Sequence, residues 1–185
     1  MKVAIVVGHT KNAPGAESKT LRTTEYPWNK DLAAKIVAQS PNGIEFKTFL
    51  RDDGGVAGAY KAGDKWGADA FVELHFNSSH NVTSTGTGVL YQTGKSKAWA
   101  EALYAELSKV LRLKAWPGGT DGVCTPFQAS GRQERGKGSL TASSAPSALI
   151  EPFFGSNPND SRMAQSNKDR MAAAVARAAA TYFKV

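Results

Sequence analysis

Five consecutive apolar residues, Val3-Ala4-Ile5-Val6-Val7, stand near the start of the chain and are followed at once by Gly8 and His9. A β-branched run that is apolar on both faces is what a buried parallel strand requires. Pro27 then predicts the opening of a helix, with Trp28, Leu32 and Ile36 four apart on one side, and Pro41-Asn42-Gly43 stops it. Ile44-Glu45-Phe46 alternates and leads into a second strand ending near Leu50. Val56, Tyr60 and Trp66 predict a second helix closed by Gly67. Phe71 to Phe76 predicts a third strand and Gly88 to Tyr91 a fourth, and Trp99, Leu103, Leu107 and Leu111 define a longer helix. From Trp116 to Ala145 the chain is rich in Gly, Ser, Thr and charge and predicts a long loop, of the kind that is functional or mobile in a compact domain. Ser147-Ala148-Leu149-Ile150 predicts a last strand. A stripe of Met171, Val175, Ala178 and Tyr182 predicts a single helix from about Ser161 to Tyr182. Short apolar strands alternating with helix-period segments are the pattern of an α/β domain. No repeat or linker interrupts it, so one domain over 1–185 is expected.

Composition narrows the class. Apolar runs such as Val3–Val7 are far short of the ~20 residues of a transmembrane helix. No small-residue cleavage site follows Val3–Val7, so cytoplasmic synthesis without a signal peptide is expected. A single cysteine, Cys124, excludes a disulfide framework, and its position between Val123 and Thr125 reads as a small buried hydrophobe. Lys and Arg number 23 against 16 Asp and Glu, a net charge of +7. That excess suits polyanionic partners: nucleic acid, an anionic membrane surface or an acidic polymer such as a bacterial wall. The basic residues are scattered, which is equally the pattern of a solvated basic surface.

Three strand candidates end in an ionisable residue: Val3–Val7 leads to His9, Phe71–Leu74 to His75, and Ser147–Ile150 to Glu151. In open α/β sheets ligands bind at the carboxyl ends of the strands. Two imidazoles and carboxylates are the ingredients of a catalytic zinc site, in which three protein ligands leave one position open for water. A further carboxylate can then carry protons. No H-E-x-x-H motif is present, so spacing alone does not establish a metal. Glu25 is the candidate third ligand. It precedes Pro27, with Tyr26 between them biased toward an extended backbone. A glutamate there is also what the dipole of a helix N-terminus favours without any metal. Glu73 and Glu45 alternate with apolar neighbours and read as outward-facing strand positions, while His80 reads as a loop residue. No G-x-S-x-G elbow is present.

Four blocks, in order, resemble the successive motifs of the zinc-dependent N-acetylmuramoyl-L-alanine amidases of the amidase type 3 family. They are Val6-Val7-Gly8-His9 with Gly15-Ala16; Glu25 with Asn29; Glu73-Leu74-His75-Phe76-Asn77; and Pro146 with Glu151-Pro152-Phe153-Phe154-Gly155-Ser156-Asn157-Pro158. The resemblance implies one Zn2+ ion held by His9, Glu25 and His75, with Glu151 as the catalytic glutamate. It implies hydrolysis of the amide between the lactyl group of N-acetylmuramic acid and L-alanine. It also implies a mixed, mostly parallel sheet with helices on both faces. Asn77 is a candidate for orienting substrate. The chain departs from the family pattern at Thr10-Lys11-Asn12-Ala13-Pro14, where a glycine-rich stretch is common, and at Pro152-Phe153-Phe154 after the catalytic glutamate.

On this reading the partner is peptidoglycan rather than nucleic acid, and the protein is a monomer without a separate wall-binding domain. It resembles a phage endolysin, made in the host cytoplasm and acting on the wall after release. The basic helix carrying Arg162, Lys168, Arg170 and Arg177 is a candidate for electrostatic contact with an anionic envelope. Two other readings of the same residues stand beside this one. One is a zinc peptidase acting on stem peptides, the other a non-catalytic basic domain that binds wall or nucleic acid.

Overall fold

The apolar run near the start of the chain forms strand β1 (Lys2–Val7), in which Val3 through Val7 are all fully buried. A computed structural model of the chain describes residues 1–116 and 121–185. After β1 come two short strands, β2 (Glu17–Ser18) and β3 (Thr23–Thr24), then α1 (Glu25–Ala38), β4 (Glu45–Leu50), α2 (Gly55–Trp66) and β5 (Ala70–Leu74). The second half holds β6 (Gly88–Tyr91), α3 (Gly94–Leu111), β7 (Val123–Cys124), α4 (Pro126–Ser130), α5 (Lys137–Leu140), β8 (Ser147–Glu151), α6 (Pro158–Ser166) and α7 (Lys168–Phe183).

Six strands form one sheet in the order β4-β1-β5-β8-β6-β7, and β2 pairs with β3 separately. All neighbours in the large sheet run parallel except β6, which is antiparallel to β8. The fold is therefore α/β with a mixed, mostly parallel sheet. Side chains alternate across β1. Val3, Ile5 and Val7 join a core with Leu32 and Ile36 of α1, Leu103 and Leu107 of α3, and Met171 and Val175 of α7. Ala4 and Val6 face the other way, against Phe49, Phe71 and the Ala59–Tyr60 pair of α2. Both faces are thus covered, and full burial of each such aliphatic side chain contributes about 1.5–3 kcal/mol.

This topology brings three strand ends together. Val7 is in register with Leu74, and Leu74 with Ile150. The ladder continues one step further, with Gly8 N–H donating to Leu74 C=O at 3.0 Å and His75 N–H to Ile150 C=O at 3.1 Å. His9, His75 and Glu151 consequently emerge at the same edge of three adjacent parallel strands.

Three local expectations need correction. Helix α1 begins at Glu25 rather than at Pro27, and Tyr26 is helical. Pro27 falls in the first turn, where its missing N–H would have no intrahelical partner in any case. Tyr26 is held by its N–H to Pro14 C=O at 2.9 Å and its hydroxyl to Asp52 at 2.5 Å, which outweighs the extended bias imposed by the following proline. The final helix is two, α6 and α7, broken at Asn167, whose backbone leaves the helical region at φ −116° and ψ 15°. Lastly, of the expected Trp116–Ala145 loop, residues 117–120 lie outside the described residues and the part from residue 121 on carries regular elements: β7 extends the sheet, and a capping box between Thr125 and Gln128 starts α4.

Candidate active site

Each polar side chain at the strand ends is placed by a specific backbone device. His9 has φ 67°, a left-handed conformation uncommon outside glycine. Gly8 and Gly15 make room for the rings: a Cβ at Gly8 would lie 2.4 Å from His75 Nε2, and one at Gly15 would lie 2.6 Å from His9 Cδ2. Glu25 is the first residue of α1, where the helix dipole favours a carboxylate. Its oxygens are oriented by Ala16 N–H at 2.9 Å and Phe76 N–H at 3.2 Å.

Glu25 joins the two imidazoles. Its Oε1 is 3.2 Å from His9 Nε2 and its Oε2 is 3.0 Å from His75 Nδ1. One ligand atom each from His9, Glu25 and His75 fall within 4.8 Å of one another. Burial alone would raise the Glu25 pKa, but hydrogen bonds from His75 and His9 outweigh it and hold the carboxyl at about 2. Burial would likewise lower His75, yet Glu25 and Glu73 on its two sides push it up to about 10. Two imidazole nitrogens and a carboxylate oxygen form a donor set suited to zinc.

Glu151, the last residue of β8, completes the arrangement from the third strand. Its Oε2 is buried and has no hydrogen-bond partner among the described residues. Burial, opposed by His75 and reinforced by the charges of Glu25 and Glu73, pushes its pKa up to about 8. A carboxyl with a free, desolvated oxygen beside a candidate metal-binding cluster is the kind of group that can transfer protons.

These residues share a cavity of about 1130 Å³, lined also by Arg51, Asn77, Trp116, Arg132 and Arg135. The segment from α4 to α5, including the 3₁₀ turn Gly131–Gln133, supplies one wall through Ser130, Arg132, Gly136 and Ser139. This volume lies just above the usual range of small-molecule pockets, and suits an extended ligand.

A family model described as N-acetylmuramoyl-L-alanine amidase matches residues 3–181. The chain belongs to that family. Solved structures agree on the fold. The catalytic domain of CwlV, an N-acetylmuramoyl-L-alanine amidase from Bacillus (Paenibacillus) polymyxa var. colistinus, superposes with a TM-score of 0.78 at 23% identity, covering 100% of this chain and 99% of that one. An N-acetylmuramoyl-L-alanine amidase from Clostridium difficile 630 gives 0.79 at 23% identity over 99% and 96% of the two chains. The catalytic domain of the CD27L endolysin, which targets Clostridia difficile, gives 0.77 at 22% identity over 98% and 97%. No curated protein sequence matches the chain.

In this amidase the four residues singled out from sequence, His9, Glu25, His75 and Glu151, all line the one cavity. Asn77 lines it too, with its Nδ2 buried and unpartnered among the described residues. His80 is exposed on a loop, and Cys124 is fully buried with its thiol pushed up to about 11, chiefly by burial. Glu73 is the correction. It is fully buried rather than outward-facing, its carboxylate accepts from Arg51 at 2.9 Å and Tyr60 at 3.1 Å, and it lies 2.9 Å from His75 Nε2. The signal was present in its neighbours: a strand flanked by apolar residues in a sheet covered on both sides has no outward face. Glu45, on edge strand β4, is exposed as expected.

Proposed function

We propose that this amidase works with one Zn2+ ion held by His9, Glu25 and His75, that Glu151 is its general base, and that its biological task is lysis of a bacterial host. The observation that carries the reading is the convergence of His9 Nε2, both Glu25 oxygens and His75 Nδ1, with the unpartnered Glu151 oxygen in the same cavity. The substrate is the peptidoglycan amide between the lactyl group of N-acetylmuramic acid and L-alanine.

His9, Glu25 and His75 would hold the zinc, which would supply Lewis acidity and lower the pKa of a water to about 7. Glu151 takes a proton from the attacking water and delivers it to the departing L-alanine nitrogen. Two features prepare it for that exchange. Its buried position raises its proton affinity toward neutrality, and its free oxygen needs to break no existing hydrogen bond. Glu25 does not compete for the proton, because both of its oxygens are engaged by backbone N–H groups and imidazoles. Asn77 Nδ2, which faces the same cavity, is a donor free to hold a substrate carbonyl. Arg132 and Arg135, on the wall between α4 and α5, are cations placed to meet the carboxylates of a stem peptide.

The lytic role is supported by likeness to an endolysin catalytic domain and by the +7 charge, which favours approach to an acidic wall. Among the described residues no helix is long and apolar enough to cross a membrane. Mass analysis of digested peptidoglycan tests the chemistry. New free L-alanine amino groups, lost on chelation and regained with zinc, are the expected result. Cuts within the stem peptide, or release that survives chelation, would overturn it.

A further inference from the structure

The second nitrogen of His75 leads to a buried carboxylate on the cavity lining that the reaction described above does not use. Nδ1 points to Glu25 at 3.0 Å, and Nε2 points to Glu73 Oε1 at 2.9 Å. Four elements converge on that carboxylate. β5 carries it, Arg51 donates from the end of β4, Tyr60 from α2, and Ser139 from α5. Glu73 is fully buried and the Arg51 contact is 2.9 Å, so neither partner rotates freely into water. An ionised carboxylate only accepts hydrogen bonds, so the group facing it across 2.9 Å must be an N–H.

We propose that Glu73 is a positioning residue for the metal centre: it holds the proton of His75 on Nε2 and so presents Nδ1 as the ligand atom. Ligating histidines characteristically donate their other ring N–H to a carboxylate or carbonyl, which fixes tautomer and ring orientation and raises ligand basicity. Here the device is assembled from the strand itself, two residues before the histidine it serves. Arg51 and Tyr60 engage its two oxygens and so keep the carboxylate from becoming a competing ligand. Gly8 completes the cradle by leaving space against the Nε2 edge of the ring, where a Cβ would approach to 2.4 Å.

The inference rests on the zinc reading, and its test separates the two. Two-bond 1H–15N spectra of the zinc-loaded, 15N-labelled wild-type protein read the His75 tautomer directly. Nε2 protonated with Nδ1 metal-bound is the expected pattern. Metal on Nε2 overturns the inference alone, and a wild-type protein that takes up no zinc overturns the reading beneath it. Competition titration with a chromophoric chelator then measures zinc affinity in two variants, with thermal unfolding of the chelated proteins recorded in parallel. Glu73→Leu, which removes the acceptor, is expected to weaken zinc binding about 10–100-fold. Glu73→Gln, which keeps a carbonyl oxygen opposite Nε2–H, is expected to recover most of that loss. If both folded variants bind zinc within about twofold of wild type while only their unfolding temperatures fall, Glu73 is structural and the inference is wrong. Should Glu73→Leu not fold, the wild-type tautomer still decides.

Discussion

His75 and Glu25, fifty residues apart in sequence, meet at 3.0 Å through Nδ1 and Oε2. Their contact ties the end of β5 to the start of α1, and it has a definite pH signature in the metal-free protein. Glu25 is held at about 2 against an ordinary 4.5, so its contribution to stability is present above 4.5 and is lost as pH falls toward 2. His75 is raised from 6.5 to about 10, so its contribution is full below 6.5 and is lost as pH rises toward 10. Glu151 is raised from 4.5 to about 8, so between those values the folded state binds more protons than the unfolded one and stability again falls with rising pH. The acid limb from Glu25 and the basic limb from Glu151 and His75 are opposed, so these three groups together favour the chelated fold most near pH 5.

Zinc reverses the basic limb, because its ligands must be deprotonated to bind. The difference in Tm between zinc-loaded and chelated protein is therefore expected to widen from pH 6 to pH 9. A difference that stays flat or narrows over that range would contradict the assignment of His75 and Glu25.

Glu151→Gln keeps shape and volume but cannot take a proton. We expect kcat on purified peptidoglycan to fall about 10²–10⁴-fold with zinc content unchanged. The acid limb of the kcat–pH profile is expected to disappear with it. Loss of zinc instead would make Glu151 a ligand, and retained hydrolysis would remove it from the reaction.

The glycines beside the imidazoles are expected to be intolerant. Gly8→Ala drives a methyl to 2.4 Å from His75 Nε2 and 2.5 Å from Leu74 C=O, an overpacking that costs about 1–3 kcal/mol in denaturant unfolding. Gly15→Ala adds backbone strain at φ 82° to a clash with His9. Both variants should bind zinc more weakly than wild type. Gly94→Ala, where a Cβ meets nothing within 4 Å, is the control and should leave zinc affinity unchanged.

The basic helix surface divides in two. Lys168 is buried, 2.6 Å from Asp31 and 4.2 Å over the Trp28 ring, so it serves packing rather than an envelope. Arg162 and Arg170 are exposed and, among the described residues, bonded only to the neighbouring Asn159 and Asn167 side chains. Reversing both arginines to Glu is expected to slow lysis of whole cells several-fold without changing hydrolysis of soluble fragments, and added salt should erase the difference. Equal effects on both substrates would argue against an envelope role. Lys168→Ala should instead lower Tm.

Much of this was legible because parallel strands buried on both faces read as apolar runs, and the residues ending those runs mark the carboxyl edge of the sheet. His9, His75 and Glu151 follow from that rule, and Leu32, Ile36, Leu103 and Leu107 from helical spacing. Glu73 escaped because alternation with apolar neighbours mimics a solvent-facing position, and only coverage of both faces by helices forbids it. The break at Asn167 was hidden because Ala164 and Met171 lie on one apolar stripe that runs through it. The wall formed by α4 and α5 was hidden for another reason: helices of five and four residues are too short to display a period. Only the Thr125-Pro126-Phe127-Gln128 capping pattern signalled them. The antiparallel course of β6 depends on pairing with β8, which no local pattern records.

Metal analysis of the wild-type protein beside His9→Ala tests the central claim most directly. The account predicts one zinc per chain in the wild type and less than about a tenth of that in the variant, with hydrolysis of the muramoyl–L-alanine amide lost in parallel. A wild-type protein that cleaves this amide without zinc, or a His9→Ala protein that keeps its full zinc complement, would contradict it.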